Sequence, residues 1–210
     1  MFPYISDTGA TPPESNIFGQ CLNIGAVMML IALYIRYKQI DYDIRTKNIT
    51  LNPIWNKIGI IFGIIACLGM SVVGNFPELT LLIVHLVGAL MAFGVGILYL
   101  YVQTWISSFY LNARQRKISK ALFYMRLFMV CLLMPLMISI FVFGYLSFIN
   151  FHGKSYLLWT EEDGGYGYRL VSVFSEWFLY ILVFVYIATF STEFGNIKST
   201  SVVLQFKEDP

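Results

Sequence analysis

Five long apolar stretches constrain this chain more than any other feature. They lie near residues 17–35, 54–74, 79–106, 122–149 and 170–194. A helix of about 18 or more apolar residues, rising roughly 1.5 Å per residue, crosses the ~30 Å hydrocarbon core of a membrane. Backbone polar groups in lipid must pair within their own segment, and these stretches lack the alternating polarity of barrel strands. The sequence therefore predicts an all-α, polytopic transmembrane helix bundle with five spans.

The composition argues against a separate soluble domain. Hydrophobic residues make up 58% of the 210 residues and charged residues 12%, whereas soluble proteins carry about 25% charged residues. The segments between the spans hold roughly 20 residues at most, too few for an independent core. We expect a single transmembrane helical domain over residues 1–194 and a short cytoplasmic tail over residues 195–210.

The basic residues indicate the orientation of the bundle. Twelve of the 14 Lys and Arg residues fall on one predicted side of the bundle. They lie in or near two connections, between spans one and two and between spans three and four, or in the tail. Only Lys154 and Arg169 fall on the opposite side. Because positive charges in short loops stay in the cytoplasm, we expect a lumenal amino terminus and a cytoplasmic carboxyl terminus.

This orientation requires residues 1–16 to cross the membrane without a signal-like segment. We therefore expect that a preceding span is missing from this chain. The alternative is a first span that inserts through its own charge bias.

His85 and Glu176 are the candidate intramembrane polar pair. Each lies seven residues past a charged residue at the lumenal end of its span, so both reach a depth of roughly 10 Å. An acidic residue in a span is costly unless it is paired. A histidine could supply the hydrogen bond that the carboxylate needs. Three interpretations remain open: a structural clamp between spans three and five, a pH-responsive element, or a catalytic or metal-binding pair.

A second candidate site is a basic patch on the cytoplasmic side. Arg126 lies about one turn inside the fourth span, where its head can reach the phosphate level while its stem stays in lipid. Together with its basic neighbours it could bind anionic lipid head groups. The alternative is simple anchoring. The patch comprises Arg114, Arg116, Lys117, Lys120 and Arg126.

No motif in the sequence predicts an enzyme. Cys21, Cys67 and Cys131 lie inside apolar stretches and read as buried hydrophobes. Neither metal-ligand spacing nor a nucleotide-binding glycine loop is present. We expect no catalytic residue, no metal, no cofactor and no nucleic-acid partner, and membrane lipids as the main contacts.

Small and polar residues indicate how the spans pack, because they let helix backbones approach in lipid. The second span offers Gly59 and Gly63, spaced by four. The third span carries a continuous helical seam at spacings of three and four. This seam comprises His85, Ala89, Ala92, Gly96, Tyr99 and Gln103.

Ordered short motifs along the chain resemble the damage-regulated autophagy modulators, the DRAM family. The resemblance begins with Phe-Pro-Tyr-Ile-Ser-Asp-Thr-Gly at residues 2–9 and extends to about residue 194. Further matching positions are residues 13–14, 22–24, 34–39, 56–57, 67–69, 75–76, 85, 98–99, 102–104, 126, 159, 163, 165–166 and 176–177.

The resemblance implies a six-helix protein of lysosomal and related endomembranes that promotes autophagy and, in some members, cell death. The family's first helix precedes the Phe-Pro-Tyr-Ile-Ser-Asp segment, in keeping with a missing span here. Possible partners are lipids and other membrane or autophagy proteins. The resemblance implies no reaction. A lipid-remodelling enzyme or lipid handler that uses His85 and Glu176 is the alternative function.

Overall fold

Every element of regular structure in the described part of the chain is helical. The computed structural model describes residues 2–113, 118–155, 158–195 and 197. The α-helices are α1 (Glu14–Arg45), α2 (Pro53–Asn75), α3 (Glu78–Ala89), α4 (Gly96–Leu111), α5 (Lys120–Ile149), α6 (Tyr166–Ala188) and α7 (Ser191–Phe194). A π-helical turn, Leu90–Val95, joins α3 to α4.

Five helical spans in the described residues are long and apolar enough to cross a membrane. Helices α1, α2 and α5 each form one span, α3 and α4 together form the third, and α6 and α7 form the fifth. This arrangement confirms the predicted all-α bundle of five spans. The first span was predicted to end near residue 35, but α1 continues to Arg45.

The starts of α2 and α5 are fixed by local capping. The Oδ1 atom of Asn52 accepts a hydrogen bond of 3.0 Å from the Ile54 amide, and Pro53 occupies the first helical position. Ser119 accepts a 3.1 Å bond from the Leu122 amide in the same way. These side chains satisfy amides that have no partner within the helix, so both helices begin at defined residues.

The bundle has two ends. Its amino-terminal end comprises the segment before α1, the short turn between α2 and α3, and the loop between α5 and α6. Its basic end comprises the α1–α2 connection, the end of α4, the start of α5, and α7. In the core between them, Ile97, Leu133 and Leu179 are completely buried.

Helix α2 packs antiparallel against the third span along the predicted seam. A Cβ atom placed on Gly63 would lie 3.6 Å from the Tyr99 ring, and one on Gly96 would lie 3.6 Å from Ala66. A Cβ atom on Gly69 would collide with the Ala92 backbone amide. None of the six seam residues is exposed. The small residues therefore set the helix separation, and this prediction is confirmed.

Candidate functional site

Three fully buried charged side chains meet at the basic end of the bundle. Arg36 from α1, Arg126 from α5 and Glu193 from α7 are each 0% exposed. We call these three residues the buried ion cluster. Charges at such positions are costly in a lipid-embedded protein unless they are paired. The partners of each charged group therefore determine whether the cluster stabilises the bundle.

Glu193 and Arg126 form a two-pronged ion pair. Arg126 Nη1 donates to Glu193 Oε1 over 2.9 Å, and Arg126 Nη2 donates to Oε2 over 2.7 Å. The Nε atom donates to Thr189 Oγ1 over 2.8 Å, and Nη1 also donates to Ser107 Oγ over 3.0 Å. Parallel bonds between a guanidinium and a carboxylate are strong and geometrically specific. They fasten α7 to α5, and the bond to Ser107 links α5 to α4.

Arg36 completes the cluster from the first span. Its Nη1 atom lies 3.1 Å from Glu193 Oε1 and donates to Gln39 Oε1 over 2.8 Å. Its Nε atom donates to Gln103 Oε1 over 3.1 Å. Gln39 in turn donates to the Glu193 carbonyl oxygen over 3.0 Å. Glu193 therefore joins α1, α5 and α7 through a single carboxylate.

Aromatic rings and a second carboxylate complete the surroundings of the guanidinium groups. The Phe190 ring centroid lies 5.1 Å from the Cζ atom of Arg36 and 5.1 Å from that of Arg126. Tyr110, whose ring lies 5.4 Å from Arg36 Cζ, donates its hydroxyl hydrogen to Asp43 Oδ2 over 2.7 Å. Asp43 is 1% exposed. Two cations and two carboxylates therefore share one buried region, which limits its net charge.

The structure corrects the role predicted for Arg126. The expectation was a side chain extending to lipid head groups, but its guanidinium is enclosed by α4, α5 and α7. The physical reason is the carboxylate of Glu193, which meets the Arg126 guanidinium inside the bundle through two parallel hydrogen bonds. Of the other patch residues, Lys120 is exposed at the start of α5. Arg114, Arg116 and Lys117 lie outside the described residues.

At the amino-terminal end, residues 2–9 fold back across α6. We call this segment the N-terminal strap. Its Ile5 amide donates to Glu176 Oε2 over 2.7 Å, and its Pro3 carbonyl oxygen accepts a 3.0 Å bond from the Trp177 indole. The Phe2 ring stacks on Phe174 with centroids 4.9 Å apart. The strap is therefore held by both polar and aromatic contacts.

An ion pair fixes the far end of the strap. Arg169 Nη2 donates to Asp7 Oδ2 over 2.6 Å, and the two side chains are only 5% and 9% exposed. The Arg169 Cζ atom lies 4.8 Å from the Tyr4 ring centroid and 4.9 Å from that of Trp159. Burial raises the pKa of the Tyr4 hydroxyl, so it stays protonated in this enclosed setting.

His85 and Glu176 do not form the predicted pair. The His85 Nδ1 atom hydrogen-bonds the Phe76 carbonyl oxygen at 2.9 Å, while the Glu176 carboxylate accepts from the strap. No hydrogen bond or ion pair joins them within the described residues. Similar depth in the membrane did not bring the two groups together, because each has a nearer backbone partner. No three His, Cys, Asp or Glu residues in the described ranges are arranged to hold a metal ion.

Comparison with known proteins identifies the family. The model of the Frag1/DRAM/Sfk1/Cwh43P N-terminal domain matches residues 1–197. The chain belongs to this family. No solved structure matches this DRAM-family chain.

Several curated proteins are similar to this DRAM-family chain over nearly its whole length. DNA damage-regulated autophagy modulator protein 2 of Mus musculus is 38% identical over 199 residues, which cover 93% of this chain and 72% of that protein. DNA damage-regulated autophagy modulator protein 1 of Homo sapiens is 33% identical over 94% of this chain and 79% of that protein. Modulator of macroautophagy TMEM150B of Danio rerio is 30% identical over 97% of this chain and 75% of that protein.

Sequence reasoning missed two members of the buried ion cluster of this DRAM-family chain. Arg36 lies one residue past the predicted end of the first span, and it was counted among the loop charges. Glu193 lies one residue before the predicted end of the last span. A carboxylate inside an apolar stretch is itself a signal of a buried partner, and it would have pointed to Glu193.

Proposed function

We propose that this chain is a multi-pass protein of lysosomal or endosomal membranes that modulates autophagy. The observation that carries the proposal is its similarity, over 93–97% of its length, to proteins that are named as autophagy modulators. The proposed mode of action is regulatory, through membrane lipids or partner proteins. The separate partners of His85 and Glu176 give no support to a lipid-remodelling enzyme that acts through that pair.

We further propose that the basic end faces the cytoplasm and the amino-terminal end faces the lumen. The positive-charge bias of the connections supports this orientation. Residues 1–194 then form one membrane domain, with residues 195–210 as a cytoplasmic tail. The exposed Lys120 would remain available for anionic lipids, whereas the ion-paired Arg126 would not.

The test is autophagic flux in cells that lack the protein. Flux is measured as turnover of an autophagosome marker with and without inhibition of lysosomal proteolysis. We expect flux to fall on loss and to recover when the wild-type protein is restored to lysosomal membranes. His85→Gln and Glu176→Gln variants that accumulate normally should also restore it, because the proposal assigns no chemistry to these residues. Unchanged flux in the deficient cells would refute the proposal, and loss of rescue by both well-folded variants would favour the enzyme alternative.

A further inference from the structure

A broad, open cavity of about 670 Å³ lies at the amino-terminal end, between the end of α5 and the start of α6. Its lining includes Phe143, Glu161, Tyr166, Gly167 and Tyr168. The site already described at this end, the N-terminal strap, contributes none of the lining residues. The cavity is therefore a separate feature of the surface.

The depth of the cavity matches the head-group region of a membrane. Phe143 lies six residues before the end of α5 at Ile149, which corresponds to about 9 Å along the helix. Glu161 lies in the loop beyond that end, and Tyr166 begins α6. The cavity thus runs from the last turns of the spans into the polar loop, where lipid head groups lie.

Side chains that line the cavity suit a cation. The rings of Phe143 and Tyr168 stack with centroids 6.2 Å apart and planes inclined by 28°. Tyr166 adds a third ring, and Glu161 adds a carboxylate to the same lining. Aromatic faces attract quaternary ammonium groups, and the carboxylate adds charge complementarity. These features favour a positively charged head group such as choline.

The backbone at the start of α6 suits a phosphate. Within the described residues, the first backbone bond at the start of α6 runs from the Arg169 amide to the Gly165 carbonyl oxygen over 3.0 Å, and no side chain caps the helix. The amides of Tyr166, Gly167 and Tyr168 therefore lack helical partners, as the first amides of a helix do. A Cβ atom on Gly167 would meet nothing within 4 Å, so the backbone there is open to a ligand. Such helix starts favour anions.

We propose that this cavity binds the head group of a choline phospholipid. The trimethylammonium group lies against the aromatic rings and Glu161, and the phosphate accepts from the amides at the start of α6. The acyl chains run down the apolar surface of α5 and α6. This binding does not depend on the proposed role in autophagy, because it follows from the surface of the folded protein.

The experiment measures lipid retention by the full-length protein purified in mild detergent. The protein is exchanged into phosphatidylcholine, phosphatidylethanolamine or phosphatidylglycerol and analysed by native mass spectrometry. We expect phosphatidylcholine to be retained best. Glu161→Gln should lower its retention about fivefold, the equivalent of losing roughly 1 kcal/mol of cation attraction. Gly167→Leu should lower it at least as much, because a Cβ atom fits at this position without a close contact and the rest of the side chain would occupy space in the cavity.

Matched controls separate binding from general effects. Glu162 is an exposed carboxylate in the same loop turn as Glu161 but does not line the cavity. Tyr145 is 65% exposed on α5 and likewise does not line it. Glu162→Gln and Tyr145→Leu should retain phosphatidylcholine like the wild type. The proposal is overturned if Glu161→Gln and Glu162→Gln behave alike, or if phosphatidylglycerol is retained as well as phosphatidylcholine. The assay contains no autophagy readout, so its failure is distinct from a failure in the flux experiment.

Discussion

Replacing Glu193 by glutamine tests how much the buried ion cluster contributes to stability. The substitution keeps the size of the side chain and removes its charge. Arg126 would lose its two charge-assisted bonds of 2.9 and 2.7 Å, and Arg36 would lose its contact at 3.1 Å. Both guanidinium groups are 0% exposed, so water cannot replace the carboxylate without opening the bundle.

The expected cost follows from leaving buried cations without their partner. Removing one member of a buried ion pair costs about 3–5 kcal/mol in the free energy of unfolding. For a chain of about 200 residues, this loss corresponds to a fall in Tm on the order of 10 °C. The assay is thermal unfolding of the purified protein in detergent, followed by the fraction that stays monodisperse.

An exposed ion pair on the same bundle supplies the control. Asp41 and Arg45 lie 2.6 Å apart on α1, one turn from each other, with side chains 31% and 68% exposed. Exposed pairs of this kind contribute about 0.3–0.5 kcal/mol, so Asp41→Asn should leave Tm nearly unchanged. If Glu193→Gln lowers Tm no more than Asp41→Asn does, the cluster does not hold the helices together and the reasoning fails.

Two further predictions concern packing and the strap. Gly69→Leu should sharply lower the yield of monodisperse protein, because even a Cβ atom at this position meets the α3 backbone. Gly25→Ala is the control, since a Cβ atom at Gly25 would lie 3.6 Å from its nearest neighbour. Equal yields from both variants would show that α2 does not approach the third span closely. Asp7→Asn should weaken the 2.6 Å contact with Arg169 and lower the free energy of unfolding by about 1–3 kcal/mol. In limited proteolysis, a protease should cut within the first ten residues of this variant faster than in the wild type. An unchanged rate would contradict the proposal that the ion pair holds the strap on the bundle.

The number of spans and the main packing seam could be predicted from the sequence because both depend on local patterns. Apolar length sets the spans, and small residues at helical spacing mark the contact faces. The seam residues Tyr99 and Gly96 accordingly face Gly63 and Ala66 of α2. These features need no knowledge of which distant helices meet.

The buried ion cluster could not be assembled from the sequence because its members are far apart along the chain. Arg126 and Glu193 are separated by 67 positions, and the sequence alone does not say which helix faces place them together. Arg126 was therefore assigned to the lipid phosphates. The extension of α1 to Arg45 also mattered, since it carries Arg36 into the bundle instead of into a loop.

The pairing of His85 with Glu176 failed for a related reason. Depth along a helix can be counted from the sequence, but the direction in which a side chain meets its neighbours depends on packing. The strap supplied the Ile5 amide as the partner of Glu176. Nothing in the composition of the strap indicated that it would fold onto α6.

Labelling of single cysteines tests most directly whether the two ends of the bundle lie on opposite sides of a membrane. In a background without Cys21, Cys67 and Cys131, a cysteine replaces Thr50 at the basic end or Glu162 at the amino-terminal end, both of which are exposed. Sealed endomembrane vesicles with their cytoplasmic face outward are treated with an impermeant maleimide, before and after permeabilisation. We predict labelling of Thr50→Cys at once and of Glu162→Cys only after permeabilisation. Immediate labelling of both positions, or of Glu162→Cys alone, would contradict the account.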